Sequence, residues 1–128
     1  MVSRTAGYAL NAALHIARQE GPVPAGVVAE SLGVPGTYLA KILNTLARQG
    51  VLVSERGRHG GFRLARPADQ IRLLEVVERF DEMGSTRQCL LGRGTCSEVG
   101  SCPAHTAWRE ASAPVFRFFE KHSLADLL

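Results

Sequence analysis

The sequence predicts a mainly α fold that carries one small β-hairpin. Three observations lead there. Apolar residues recur at helical spacing in four blocks ahead of residue 82 and in a fifth near the end of the chain. Two of those blocks meet at a single glycine, Gly33. Two short segments of alternating character flank the turn "GRHGG" at residues 57–61.

The first helix is expected over Arg4 to Gln19, where Leu10, Ala13, Leu14 and Ala17 fall on one face. "EGPVP" breaks it, since Gly ends helices and Pro cannot continue them. Pro24 suits the first turn of a second helix, about Ala25 to Leu32, which carries Val27, Val28 and Leu32. Gly33 follows the last apolar residue and suits a left-handed C-cap. A third helix runs from about Pro35 to Gln49. Its apolar face is Leu39, Ile42, Leu43 and Leu46, and Thr37, Lys41, Asn44 and Arg48 gather opposite.

Val51 to Arg56 and "FRLAR" alternate as strands, with Phe62 and Leu64 on one side and Arg63 on the other. The intervening glycines make a hairpin with a basic tip, and Pro67 ends it. A fourth helix is expected over Ile71 to Phe80 through Leu73, Leu74, Val77 and Phe80. About twenty residues without periodicity follow, and a loop of that length in a small chain is commonly functional. The final helix, "HTAWREASAPVFRFFEKH", carries a wide stripe of Trp108, Ala111, Val115, Phe118 and Phe119. Pro114 is expected to kink or weaken it. Its stripe is the candidate dimer interface, through Trp108, Val115, Phe118 and Phe119. Together these elements form a winged helix-turn-helix over residues 1–82, a cysteine loop over 83–103 and a dimerisation helix with a C-terminal tail over 104–128.

Composition bounds the function. The 128 residues are 45% hydrophobic and 21% charged, as in an ordinary globular chain. No apolar run approaches the roughly 18 residues of a membrane span. The N-terminal apolar stretch is interrupted by Asn11, His15 and Arg18, unlike a signal peptide, so the expected location is the cytosol. Three cysteines, an odd number in a reducing compartment, argue against a disulfide framework. The net charge of +3 is uneven: residues 1–66 hold eight Lys/Arg against three Asp/Glu, and residues 67–128 hold seven against nine. A basic front half points to a polyanionic partner.

A two-helix turn followed by a basic wing points to duplex DNA as that partner, and the basic wing speaks against the alternative of a winged-helix protein-interaction module. The candidate contacts are Thr37, Tyr38, Lys41 and Arg48 on the third helix, with Arg56, Arg58, His59 and Gly60 on the wing. An arginine of the wing can enter a narrow minor groove. Nothing reads as catalytic: there is no phosphate-binding glycine loop, no pair of carboxylates at a plausible site and no strand–turn–serine motif. His15 is expected to pack on the first helix and His122 to lie at a surface or interface.

The segment "CLLGRGTCSEVGSCPAH" holds all three thiols, Cys89, Cys96 and Cys102, with His105 three residues after the last. Thiolates and an imidazole this close can converge on one soft metal centre, and the small residues between them let the backbone fold round it. Arg87 and Arg93 would favour the thiolate form. By residue chemistry alone, a Cys3His zinc site and an iron–sulfur cluster both remain open.

The chain resembles the IscR/NsrR-type family of bacterial winged-helix regulators over almost its whole length. The resemblance is carried by "GYALNAALHIA", by "VAESLGVPGTYLAKILNTLARQGVLVSERGRHGGFRLARP" and by "CPAHTAWRE" with the terminal "SLADLL". Within the second of these, the wing pattern from Arg56 to Leu64 is specific. The resemblance implies a homodimeric, cytoplasmic repressor that binds DNA and senses redox state, nitric oxide or iron–sulfur status through a cluster on Cys89, Cys96 and Cys102. His105 matches the fourth ligand of a 2Fe–2S cluster in IscR-like members, which favours that type, with 4Fe–4S as the alternative. Gly7 stands where some NsrR-like members use an acidic ligand, which speaks against their arrangement. The six-residue first cysteine gap departs from the five of IscR. Ala40 stands where IscR has an acidic residue that separates two classes of DNA site. The resemblance also places Thr37, Lys41 and Arg56 at or near base contacts.

Overall fold

The computed structural model describes residues 2–81 and 103–128. Helix α1, Arg4–Ala17, begins where the Ser3 hydroxyl accepts the Ala6 amide at 3.1 Å. Its buried face is mostly alanine: Ala6, Ala9, Ala12 and Ala13, with Ile16. Leu10 and Leu14, expected to lead that face, sit half-buried on its flank. Small side chains bring neighbouring backbones close, and a reading weighted by large apolar residues misplaces such a face by part of a turn.

Helix α2, Ala25–Leu32, starts with Pro24 at the capping position and ends at Gly33, whose φ of 67° and ψ of 34° are left-handed as predicted. Helix α3, Gly36–Arg48, buries Leu39, Ile42, Leu43 and Leu46, the four residues expected. Each such side chain contributes about 1.5–3 kcal/mol by leaving water, so this face holds α3 firmly against the core.

Strands β1, Leu52–Glu55, and β2, Gly61–Leu64, pair antiparallel with Leu52 opposite Leu64 and Glu55 opposite Gly61. A third backbone joins them. Val23, between α1 and α2, exchanges both amide hydrogen bonds with Phe62, at 2.9 and 2.8 Å. The wing is thereby fastened to the helix-turn-helix at a point with no strand periodicity.

The fourth helix is shorter than expected. A 3-10 turn spans Ala68–Gln70 and α4 only Leu73–Val77. Ile71 and Arg72 are extended because the end of the chain pairs there: Leu73 N–H donates to the His122 carbonyl and Leu124 N–H to that of Ile71, both at 2.9 Å. Helix α5, His105–Lys121, is continuous through Pro114. Behind it the 3-10 turn Leu124–Leu127 is capped by Asp126, which accepts the Ser123 amide at 2.8 Å. That hydrogen bond is the main cause holding the Asp126 carboxyl below its ordinary value. Phe119 and Leu124 belong to the same buried cluster as α1, α3 and α4.

Candidate nucleic-acid interface and cysteine segment

Helix α3 presents its polar face outward. Thr37, Lys41, Asn44 and Arg48 are all exposed. At 3.6 residues per turn they fall within about 60° of arc and span about 16 Å along the axis. That is a single ridge of amide, hydroxyl and cationic groups of the size a major groove admits. Thr45, on the flank, turns its hydroxyl back to the Lys41 carbonyl at 2.9 Å.

Tyr38 differs from its neighbours. It is half-buried, its hydroxyl lies 2.8 Å from Thr5 Oγ1, and its ring meets Tyr8 edge-on with centroids 6.0 Å apart. It therefore joins the first turn of α3 to the first turn of α1.

The wing tip exposes Arg56, Arg58 and His59. Its glycines answer to the chain's own packing. Gly60 N–H donates to the Gly57 carbonyl at 3.0 Å, and a Cβ on Gly60 would stand 2.2 Å from the Glu55 carbonyl oxygen. Not every cation of the basic half is available. Arg63 pairs with Glu55 across the hairpin, and Arg66 reaches Glu75 at 2.6 Å. Among the described residues, Lys41, Arg48, Arg56 and Arg58 pair with no carboxylate. Four of the unpaired cations thus lie together on α3 and the wing tip.

Of the expected metal ligands, Cys89, Cys96 and Cys102 lie outside the described residues. His105 is half-buried at the first residue of α5. No group of three or more metal-ligating side chains occurs among the described residues. The four residues expected on one stripe of α5 divide. Phe119 is 7% exposed and faces the chain's own core, Trp108 and Val115 are half-buried, and Phe118 is 42% exposed. Phe118 stacks against His122 at 4.5 Å between centroids. His122 Nδ1 lies 2.9 Å from the Phe118 carbonyl, and His15 Nδ1 lies 3.3 Å from Ser31 Oγ on α2.

Two features escaped the sequence reading. Ser3 N–H donates to Asp81 at 2.7 Å, tying the start of α1 to the root of the cysteine segment. Gln49 and Arg79 meet at the end of α3. Both are contacts between residues far apart in sequence, and neither has a local signal.

The chain matches the family model Rrf2, iron-dependent transcriptional regulator, over residues 2–128. It is 34% identical over 123 residues to the HTH-type transcriptional regulator IscR of Aliivibrio salmonicida, covering 94% of this chain and 73% of that protein. Against IscR of Serratia proteamaculans the identity is 33%, with 94% and 74% covered. Among solved structures, the global cysteine regulator CymR of B. subtilis superposes with a TM-score of 0.82 at 21% identity, over 99% of this chain and 95% of that one. IscR of T. potens gives 0.79 at 22%, over 99% and 85%. The structural likenesses bear out the winged-helix fold. No helix among the described residues is long and apolar enough to cross a membrane.

Proposed function

The chain belongs to the Rrf2 family of iron-dependent transcriptional regulators, and on that footing we propose that it binds operator DNA as a cytoplasmic homodimer controlled by an iron–sulfur cluster. It is a DNA-binding transcription regulator of the IscR type, and the relatives it matches are regulators rather than enzymes. The observation that carries the proposal is the exposed ridge of α3, flanked by the unpaired arginines of the wing.

In this reading Lys41 and Asn44 meet base edges in the major groove, Thr37 the adjoining backbone, and Arg48 a phosphate. Arg56, Arg58 and His59 follow the neighbouring minor groove. Two copies related by a two-fold axis would read half-sites about 34–36 Å apart. The dimer contact would use Phe118, with the half-buried Trp108 and Val115 beside it, while Phe119 anchors that helix to its own domain, where Val115 also packs. The division into a reading head to residue 82, a ligand segment and a dimer helix from residue 104 follows.

Cys89, Cys96, Cys102 and His105 would hold the cluster. Three soft thiolates and an imidazole suit iron–sulfur chemistry, and the IscR relatives favour it over structural zinc. His105 as the fourth ligand favours 2Fe–2S over 4Fe–4S. A bound cluster supplies a centre whose charge and integrity answer to redox state, nitric oxide or iron supply. Repression in one state and release in the other is the expected logic.

The test is to purify the protein without oxygen, record its visible spectrum, assay iron, sulfide and zinc, and titrate genomic operator fragments with the same sample. Broad thiolate-to-iron bands with matching iron and sulfide are expected, with the colour lost in Cys96→Ala. Colourless protein with one zinc per chain would overturn the cluster reading.

A further inference from the structure

We propose that Arg79 and Arg48 form a clamp for one phosphate of the DNA backbone on the α4 side of the major groove. This rests on the DNA-binding reading and adds to it a residue that neither composition nor helical spacing singles out. The two arginines line a concavity of about 170 Å³ with Thr45 and Gln49, at the end of α3.

Its position on the helix is what gives it a partner. With the ridge of Thr37, Lys41, Asn44 and Arg48 as the centre, Thr45 and Gln49 lie about 70–110° round the axis. They face away from the other flank, Ala40 and Ala47. A helix lying in a major groove has a phosphate strand along each flank. In helix-turn-helix docking the preceding helix crosses one of these backbones. The opposite strand would run past Thr45 and Gln49, and Arg48, at the C-terminal end of the ridge, lines the same concavity.

The site is built for an anion. The Gln49 side-chain amide, oriented so that both its groups meet complementary partners, donates to the Glu75 carbonyl and accepts from Arg79 Nε, each at 3.2 Å. Arg79 is thus held by one edge, which leaves its two terminal nitrogens for a phosphate. Thr45 has its hydroxyl proton committed to the Lys41 carbonyl, so the donors come from the guanidinium groups. The neighbouring carboxylate, Glu75, is spoken for by Arg66 at 2.6 Å and the Arg72 amide at 2.8 Å. Glu78 is exposed and adjacent in sequence, a spacing that does not bring side chains face to face on a helical turn. Among the described residues neither Arg48 nor Arg79 pairs with a carboxylate. The larger concavity, about 450 Å³ between α1 and β2, also holds two arginines, but Arg63 and Arg66 are neutralised by Glu55 and Glu75.

Because a phosphate contact is independent of sequence, the probe is a fluorescein-labelled 30-base-pair duplex of mixed sequence, read by anisotropy across a fourfold range of salt. Each phosphate contact contributes about 0.9 to the slope of log affinity against log salt. Arg79→Gln is expected to flatten that slope by about 0.9 per bound protomer. Wild type would then lose roughly 3.5-fold more affinity per protomer than the variant over this range. Arg79→Lys keeps the charge and should keep the slope. Arg18→Gln, the same charge change at the exposed far end of α1, should leave it unaltered. An Arg79→Gln slope equal to wild type, or an equal flattening by Arg18→Gln, overturns the clamp while leaving DNA binding intact. Wild-type protein that fails to bind the duplex in any cluster state would instead remove the function on which the clamp rests.

Discussion

Gly61→Ala should unfasten the wing. Gly61 has a φ of +149°, a conformation L residues rarely adopt, and a Cβ placed there would stand 2.4 Å from both the carbonyl carbon and the oxygen of Val23. Backbone strain of this kind costs about 1–3 kcal/mol. The collision falls on the Val23 carbonyl, which accepts the Phe62 amide, so relief moves Val23 away from Phe62 and gives up that bond together with the reciprocal one from the Val23 amide, each worth about 0.5–1.5 kcal/mol net. The expected loss is about 2–6 kcal/mol, out of a total stability of roughly 5–15. At this chain length that lowers Tm by at least about 6 °C.

Gly57→Ala is the matched control. Gly57 also has a positive φ, +108°, but nothing lies within 4 Å of its notional Cβ. It incurs backbone strain alone, so the two variants should differ by about 1–3 kcal/mol, the two hydrogen bonds. Urea denaturation followed by circular dichroism measures this directly, with the slope m checked for constancy. If Gly61→Ala unfolds no earlier than Gly57→Ala, the Val23 bridge does not hold the wing and the reasoning fails.

Tyr38→Phe removes the hydroxyl that meets Thr5 and should destabilise by about 0.5–1.5 kcal/mol, measured by the same denaturation; an unchanged midpoint would count against this contact. Lys41→Ala should weaken DNA binding by about 1–3 kcal/mol and relax the preference among operator sequences, as loss of a base contact does; unaltered affinity would remove it from the interface. The Asp126 carboxyl is held below its ordinary value of 3.8, chiefly by the Ser123 amide. A depressed folded pKa adds stability that is present above the unfolded value and lost as pH falls through the folded one. Acid titration should therefore cost the wild type stability below about pH 4 that Asp126→Asn does not lose; identical acid profiles would refute the assignment.

The parts legible in the sequence were those set by local pattern. Leu39, Ile42, Leu43 and Leu46 reveal the buried face of α3 because their spacing matches the helix period, and Gly33 reveals the end of α2 because few other residues adopt left-handed backbone. The wing followed from alternation around glycines. What was not legible depended on distant partners. The alanine face of α1 is defined by what packs against it. The expected start of the fourth helix was taken by pairing with residues fifty positions later. Arg63 belongs to the basic half by count, and only the pairing of the two strands brings Glu55 across the hairpin to neutralise it. Trp108, Val115, Phe118 and Phe119 shared one apolar stripe, yet Phe119 turns inward and Phe118 outward, a split that a one-dimensional pattern cannot carry.

Both ends of the cysteine segment are tied to the winged helix, and the two ties differ in strength. At one end Asp81 accepts the Ser3 amide, Ser3 caps α1, and Thr5 on α1 meets Tyr38 on α3. Three hydrogen bonds at about 0.5–1.5 kcal/mol each supply at most about 4.5 kcal/mol. Driving a two-state switch from 1:99 to 99:1 takes about 5.5. The hydrogen-bonded route alone therefore falls short of a full switch. At the other end α5 enters the core through Phe119 and Leu124, and its tail is bonded to Ile71, Arg72 and Leu73. Each of those buried side chains contributes about 1.5–3 kcal/mol, which makes this the stronger of the two ties. Asp81→Ala should consequently retain most of the difference in DNA affinity between cluster-loaded and cluster-free protein, whereas Phe119→Ala should abolish most of it in protein that remains folded by circular dichroism. If Asp81→Ala alone erases the difference, the signal passes through α1 and the packing of α5 is incidental to it.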